Sequence, residues 1–74
     1  MDRDRTVEKM EASLEERGDI RFFGADMDIY IQSIDPKEGY SYIATDGTEF
    51  DSSHGAVEWA IARFKGIDKI GRWE

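Results

Sequence analysis

MDIYIQSIDPKEGYSYIATDGTEFD, residues 27–51, is the stretch on which the fold turns. From Met27 to Ile34 apolar and polar side chains alternate, the period of a strand with one covered face. Met27, Ile29 and Ile31 fall on one side; Tyr30, Gln32 and Ile34 fall on the other. Asp35 to Gly39 is turn chemistry, with Pro36 presetting φ and Gly39 free to take a positive φ. Tyr40 to Thr45 is the next strand, and Asp46-Gly47 is a strong hairpin signal between it and Thr48 to Asp51.

A two-residue turn at Asp46-Gly47 sets Thr45 opposite Thr48 and Ile43 opposite Phe50. A five-residue loop from Asp35 to Gly39 sets Ile34 opposite Tyr40, Gln32 opposite Tyr42 and Ile31 opposite Ile43. The predicted core face is then Met27, Ile29, Ile31, Ile43 and Phe50. The opposite face carries Tyr30, Gln32, Ile34, Tyr40, Tyr42, Glu49 and Asp51, with Asp28 near one end. This assignment depends on register, because a slip of one residue exchanges the two faces.

Outward from this stretch, the chain reads as helical at both ends. Val7, Met10 and Leu14 recur at i, i+3 and i+7 and predict a helix over 4–17, with Asp2 or Asp4 to cap it and Gly18 to stop it. Glu11 and Glu15, like charges four apart, oppose that helix mildly, so it needs docking. Asp19 to Phe23 reads as a short strand, and Gly24-Ala25-Asp26 as a turn or bulge. Val57, Ala60, Ile61 and Phe64 predict a second helix over 54–65, capped by Ser52 or Ser53 and stopped by Gly66. The tail, 67–74, reads either as an extended segment or as a last strand. The expected fold is α+β: one domain over 1–74, helix, three- to four-stranded antiparallel sheet, helix, with both helices on one face.

Composition narrows the function. The chain has 74 residues, no cysteine and one histidine, His54. Disulfides and thiolate metal sites are excluded, and a histidine metal cage within one chain is implausible. No apolar run approaches the ~20 residues of a membrane span, and the charged start, Met1 to Arg5, lacks the apolar segment of a secretory signal. A cytoplasmic protein is expected.

The formal charge of −7 is unevenly placed. Residues 20–53 hold seven acids and two bases, a net of −5, whereas 54–74 hold three acids and four bases, a net of +1. A negative field repels nucleic acid and anionic membranes and attracts basic surfaces. The bland role for such charge is solubility.

Catalytic signatures are few. Ser52-Ser53-His54 puts hydroxyls beside an imidazole, but sequence neighbours do not build a triad, and helix capping explains the serines. Asp26-Met27-Asp28 and Asp46-Gly47-Thr48-Glu49 do not match the twelve-residue calcium loop. No cofactor and no enzymatic activity are expected. Trp59 reads as the border of the core, whereas Trp73 fits either core or partner contact.

The order helix, three strands, helix resembles that of double-stranded RNA-binding domains. That family opens its second helix with phosphate-gripping lysines; here Ser52 to Glu58 has none and carries an acid, so RNA binding is not carried over. In layout and charge, over most of its length, the chain resembles the small acidic anti-CRISPR inhibitors of phages. Gly18-Asp19 leads from helix to sheet, Asp35 to Gly39 joins two strands, and the second helix ends in Ala62-Arg63-Phe64-Lys65-Gly66. The resemblance implies carboxylates standing where DNA phosphates would, blocking the basic channel of a CRISPR-Cas complex. Asp26, Asp28, Asp35, Glu38, Asp46, Glu49 and Asp51 would be the mimicking charges. Apart from the resemblance, Tyr30, Tyr40 and Tyr42 on the open face read either as partner contact area or as good strand formers that stabilise an exposed sheet. The expected partner is a protein with a basic surface, in the host cytoplasm if the gene is a phage's. The competing expectation is a small regulatory or structural module, monomeric or homodimeric.

Overall fold

The computed structural model describes residues 3–34, 39 and 41–74. Helix α1 is Arg3–Arg17, followed by strands β1 (Asp19–Gly24), β2 (Asp28–Ser33), β3 (Tyr42–Ala44) and β4 (Glu49–Phe50). Helix α2 is Ser53–Phe64, and a single 3-10 turn over Ile67–Lys69 leads into β5 (Ile70–Trp73). The strands form one antiparallel sheet in the order β4-β3-β2-β1-β5. The α+β class and the helix–sheet–helix layout are as the sequence predicts, with the tail added as the fifth strand.

Both helices bury their apolar stripes on one face of the sheet. Val7, Met10 and Leu14 of α1 meet Ala56, Val57, Ala60, Ile61 and Phe64 of α2 over Ile20, Phe22, Ile29, Ile31, Ala44 and Phe50. Phe22 is fully buried, its ring centroid 6.4 Å from that of Phe64. In so small a domain a single core rarely supplies more than about 3–5 kcal/mol of net stability. Truncating one such phenylalanine, at about 3–5 kcal/mol, is enough to unfold it.

The helix ends follow local chemistry. Ser52, extended at φ −143°, caps α2 by accepting the Gly55 N–H on its Oγ at 3.1 Å. At the other end the stop falls one residue earlier than expected. Lys65 takes the left-handed conformation (φ 68°), and the N–H groups of Lys65 and Gly66 close onto the Ala62 and Ile61 carbonyls. Gly18 (φ 85°) ends α1, its N–H on the Leu14 carbonyl at 2.9 Å. The capping reading for Asp2 lies outside the described residues, as do Asp35 to Glu38 and Tyr40. Gly39 does take the positive φ expected of it, 92°.

The register of β3 differs from the expectation. Tyr42 lies opposite Phe50 and Ile43 opposite Glu49; on the other side, Gln32 faces Ile43 and Ile31 faces Ala44. Both connections are one residue longer than predicted. The Ile34 N–H bonds to the Ser41 carbonyl, so Ile34 faces Ser41 rather than Tyr40. In the hairpin, the Gly47 N–H bonds to the Ala44 carbonyl and the Ala44 N–H to the Thr48 carbonyl, leaving the three-residue turn Thr45-Asp46-Gly47. Gly47 at φ 95° closes that turn as the positive-φ residue of a three-residue hairpin. The shift exchanges the faces of β3 alone. Tyr42 and Ala44 turn toward the helices, and Ile43 turns to the open side.

Candidate functional site

The open side of the sheet is the natural place to look for a partner surface, since both helices occupy the other. Its residues follow from register. Asp19, Arg21 and Phe23 of β1 lie opposite Gln32, Tyr30 and Asp28 of β2. Arg72 of β5 lies opposite Phe23, and Ile43 of β3 stands between Gln32 and Glu49.

This face is polarised across the strands. On the β1–β5 side two guanidinium groups lie on aromatic rings: Arg21 is 4.8 Å from the Tyr30 centroid and Arg72 is 4.6 Å from that of Phe23. The Tyr30 hydroxyl donates to Asp19 Oδ2 at 3.1 Å, and Arg17 lies 3.8 Å from the other oxygen of the same carboxylate. That hydrogen bond to Asp19 raises the Tyr30 phenol above its ordinary value, with burial and the Asp19 charge adding to it and Arg21 opposing.

The β4 side is acidic. Asp46, Glu49 and Asp51 come from one hairpin and its exit, and all three are exposed. Among the described residues, neither Glu49 nor Asp51 has a cation within ion-pairing distance. Asp46 Oδ1 accepts the Thr48 backbone N–H at 2.9 Å. Hydrogen bonds from Thr48, side chain first and backbone second, hold the Asp46 carboxyl below the ordinary aspartate value, and Arg63 contributes.

The other candidate residues are dispersed. Asp26 sits in the β1–β2 turn, exposed, and Asp28 opens β2 on the open face. Tyr30 is on that face, half-buried under Arg21. Tyr42 is not: it packs on the helix side beside the core, and burial first, then the Glu15 charge, raises its phenol. The tyrosine face anticipated from the sequence is thus reduced to Tyr30 among the described residues. Asp51 lies in the bend before α2 rather than on a strand. Asp35, Glu38 and Tyr40 lie outside the described residues.

Three groups of the open face are not singled out by the sequence. Arg21, Phe23 and Arg72 share the open face; alternation from Ile20 and Phe22 would have placed the first two. At the start of α2, the buried Ser53 hydroxyl donates to Glu15 Oε2, and His54 Nδ1 lies 2.6 Å from Glu11 Oε2. These contacts supply the docking that the Glu11–Glu15 repulsion requires. Trp59 borders the core, its ring 5.1 Å from Phe50 and under Arg63 at 5.4 Å, and Trp73 packs against the core from β5.

The described residues hold no group of three or more His, Asp or Glu side chains arranged for a metal ion. They include no helix long and apolar enough to cross a membrane. The fold and this surface define an α+β protein with two helices backing a five-stranded antiparallel sheet whose uncovered face is charged. Compared with family models, curated proteins and solved structures, the chain matches none.

Proposed function

We propose that the chain is a non-catalytic, cytoplasmic protein-binding inhibitor. It docks its acidic hairpin edge on the basic nucleic-acid-binding surface of another protein and competes there with DNA or RNA. The observation that carries this reading is the grouping of Asp46, Glu49 and Asp51 within one hairpin and its exit, all exposed. Glu49 and Asp51, with no cation within ion-pairing distance among the described residues, keep their field toward a partner, which speeds encounter with a basic surface and sets its orientation. Asp28 and Asp26 extend the negative surface along the same sheet.

The likeness to small acidic phage anti-CRISPR inhibitors makes the nucleic-acid channel of a CRISPR-Cas complex the first partner to test. Binding is expected to weaken steeply with salt, because exposed charges are screened over about 8 Å at physiological ionic strength. Titrating the protein into a complex of that kind and its DNA tests this: competition lost on joint charge reversal of Asp46, Glu49 and Asp51 supports the reading, and competition unaffected by it overturns the reading.

A second reading, self-association, is favoured by the outer edge of β5. Arg21 and Glu74 exchange both backbone hydrogen bonds. By antiparallel alternation Trp73, opposite Phe22, then aims its N–H and C=O away from β1, toward the unpaired side. A two-fold axis at Trp73 would pair those groups with their copies and set Arg72 opposite Glu74 of the second chain. Light scattering over a concentration range tests it. A dimer weakened by Arg72→Glu and restored by adding Glu74→Arg supports this reading; a monomer throughout removes it.

A further inference from the structure

Between the β1–β2 turn and the end of α2 lies a cleft of about 490 Å³, lined by Ala25, Asp26, Met27, Arg63, Phe64, Lys65 and Lys69. Its volume is in the range of small-molecule sites. The apolar part of the lining is Met27 and Phe64, and the Phe64 ring is fixed against the backbone of β1. A Cβ at Gly24 would stand 2.4 Å from Phe64 Cε1. Three cations and one carboxylate complete the lining, a net positive charge in a chain of net −7.

One of those cations is held in a costly conformation. Lys65 is the only non-glycine residue with positive φ among the described residues, at 68°. It occupies the position where a helix usually places glycine. Such outliers persist only where the surrounding structure holds them, and they cluster at ligand and switch sites. The C-terminal end of a helix disfavours an anion, but less so here than at a bare helix end, because the Ile61 and Ala62 carbonyls are already bonded by the Gly66 and Lys65 N–H groups; the three cations must outweigh what remains.

We propose that this cleft binds a small organic anion, with Arg63, Lys65 and Lys69 around a carboxylate or phosphate and Met27 and Phe64 against an apolar body. The cleft adjoins the acidic surface, since Asp26 lines it and Arg63 acts on Asp46, but anion binding there does not depend on the proposed inhibition.

The test is a titration of isotope-labelled protein followed by NMR, with naphthoate, naphthyl phosphate and uncharged naphthalenemethanol as probes. Saturable shifts confined to residues 25–27 and 63–69 are expected with the anions, weaker with the alcohol and weakened by salt. The two anions separate a carboxylate site from a phosphate site. Lys65→Gly is expected to raise Tm by about 4 °C, through relief of the backbone, while weakening the preferred anion about two- to fivefold. Lys69→Gln, which leaves the helix end untouched, is expected to weaken it similarly. Absence of saturable shifts with both anions, equal binding of the alcohol, or undiminished anion binding in both variants would overturn the proposal.

Discussion

His54 Nδ1 lies 2.6 Å from Glu11 Oε2, and one turn further along α1 Glu15 accepts the hydroxyl of the neighbouring Ser53. The two contacts join the first turn of α2 to the middle of α1 but differ in weight. The His54 side chain is 69% exposed, so the pair is a surface contact and His54→Ala is expected to cost at most about 1 kcal/mol. Ser53 is buried, and Glu15→Ala strands its hydroxyl at about 1–3 kcal/mol. In a Ser53→Ala background the same Glu15→Ala change should cost measurably less. Urea denaturation of the four-member cycle checks this; additive costs would show the contact to be energetically idle.

Gly47 and Asp46 hold the hairpin by different means. Gly47→Val forces a β-branched residue to φ 95° and should cost about 1–3 kcal/mol by denaturant unfolding. Asp46→Ala removes the acceptor for Thr48, whereas Asp46→Asn retains one, so Tm should fall more for alanine. The Asp46 carboxyl is depressed by folding, so its contribution is present above the ordinary aspartate value of 3.8 and lost as pH falls through its folded value. Acid unfolding of Asp46→Asn should therefore begin from a lower plateau and lack that part of the transition.

Alkaline behaviour runs the other way. The phenols of Tyr30 and Tyr42 are both raised above 10.0 by folding. A raised phenol contributes stability that is full below the ordinary tyrosine value and is lost as pH rises through the folded value. Spectrophotometric titration should show these two tyrosines ionising above 10.0, and Tyr30→Phe should remove one such step. A normal titration of all tyrosines would contradict the Tyr30–Asp19 bond and the covered position of Tyr42.

Gly24 is required by contact rather than by conformation. Gly24→Ala drives a Cβ into the Phe64 ring at 2.4 Å and should destabilise by about 1–3 kcal/mol. Pairing it with Phe64→Leu, which vacates that space, should recover part of the loss in thermal melts.

Much of this architecture is legible in the residues themselves. Ser52 and the 57, 60, 61, 64 spacing fix α2 within a residue, and the alternation of Ile29 and Ile31 sets the phase of β2. The phase of β3 is not legible in the same way. Asp46-Gly47 suits both a two-residue turn and the last two positions of a three-residue turn, and one residue decides whether Tyr42 or Ile43 faces water. The fifth strand was open in the sequence because the pairing with β1 slips between Phe23 and Gly24 and breaks its alternation at Gly71. Of the candidate acids, three emerge as neighbours because they are close in sequence. The contacts of Ser53, Glu15, His54 and Glu11 span about forty residues and arise only when the helices pack.

The claim that the acidic hairpin edge is a binding surface is tested most directly by capture from a native-host lysate on immobilised protein, wild type against Asp46→Lys/Glu49→Lys/Asp51→Lys. A Glu49→Lys/Asp51→Lys variant keeps the turn bond at Asp46 and separates lost charge from lost fold. The wild type is predicted to retain a nucleic-acid-binding protein that added DNA or RNA and raised salt release, and both folded variants are predicted to lose it. Retention unchanged in the triple variant, or a retained partner that neither nucleic acid displaces, would contradict the account.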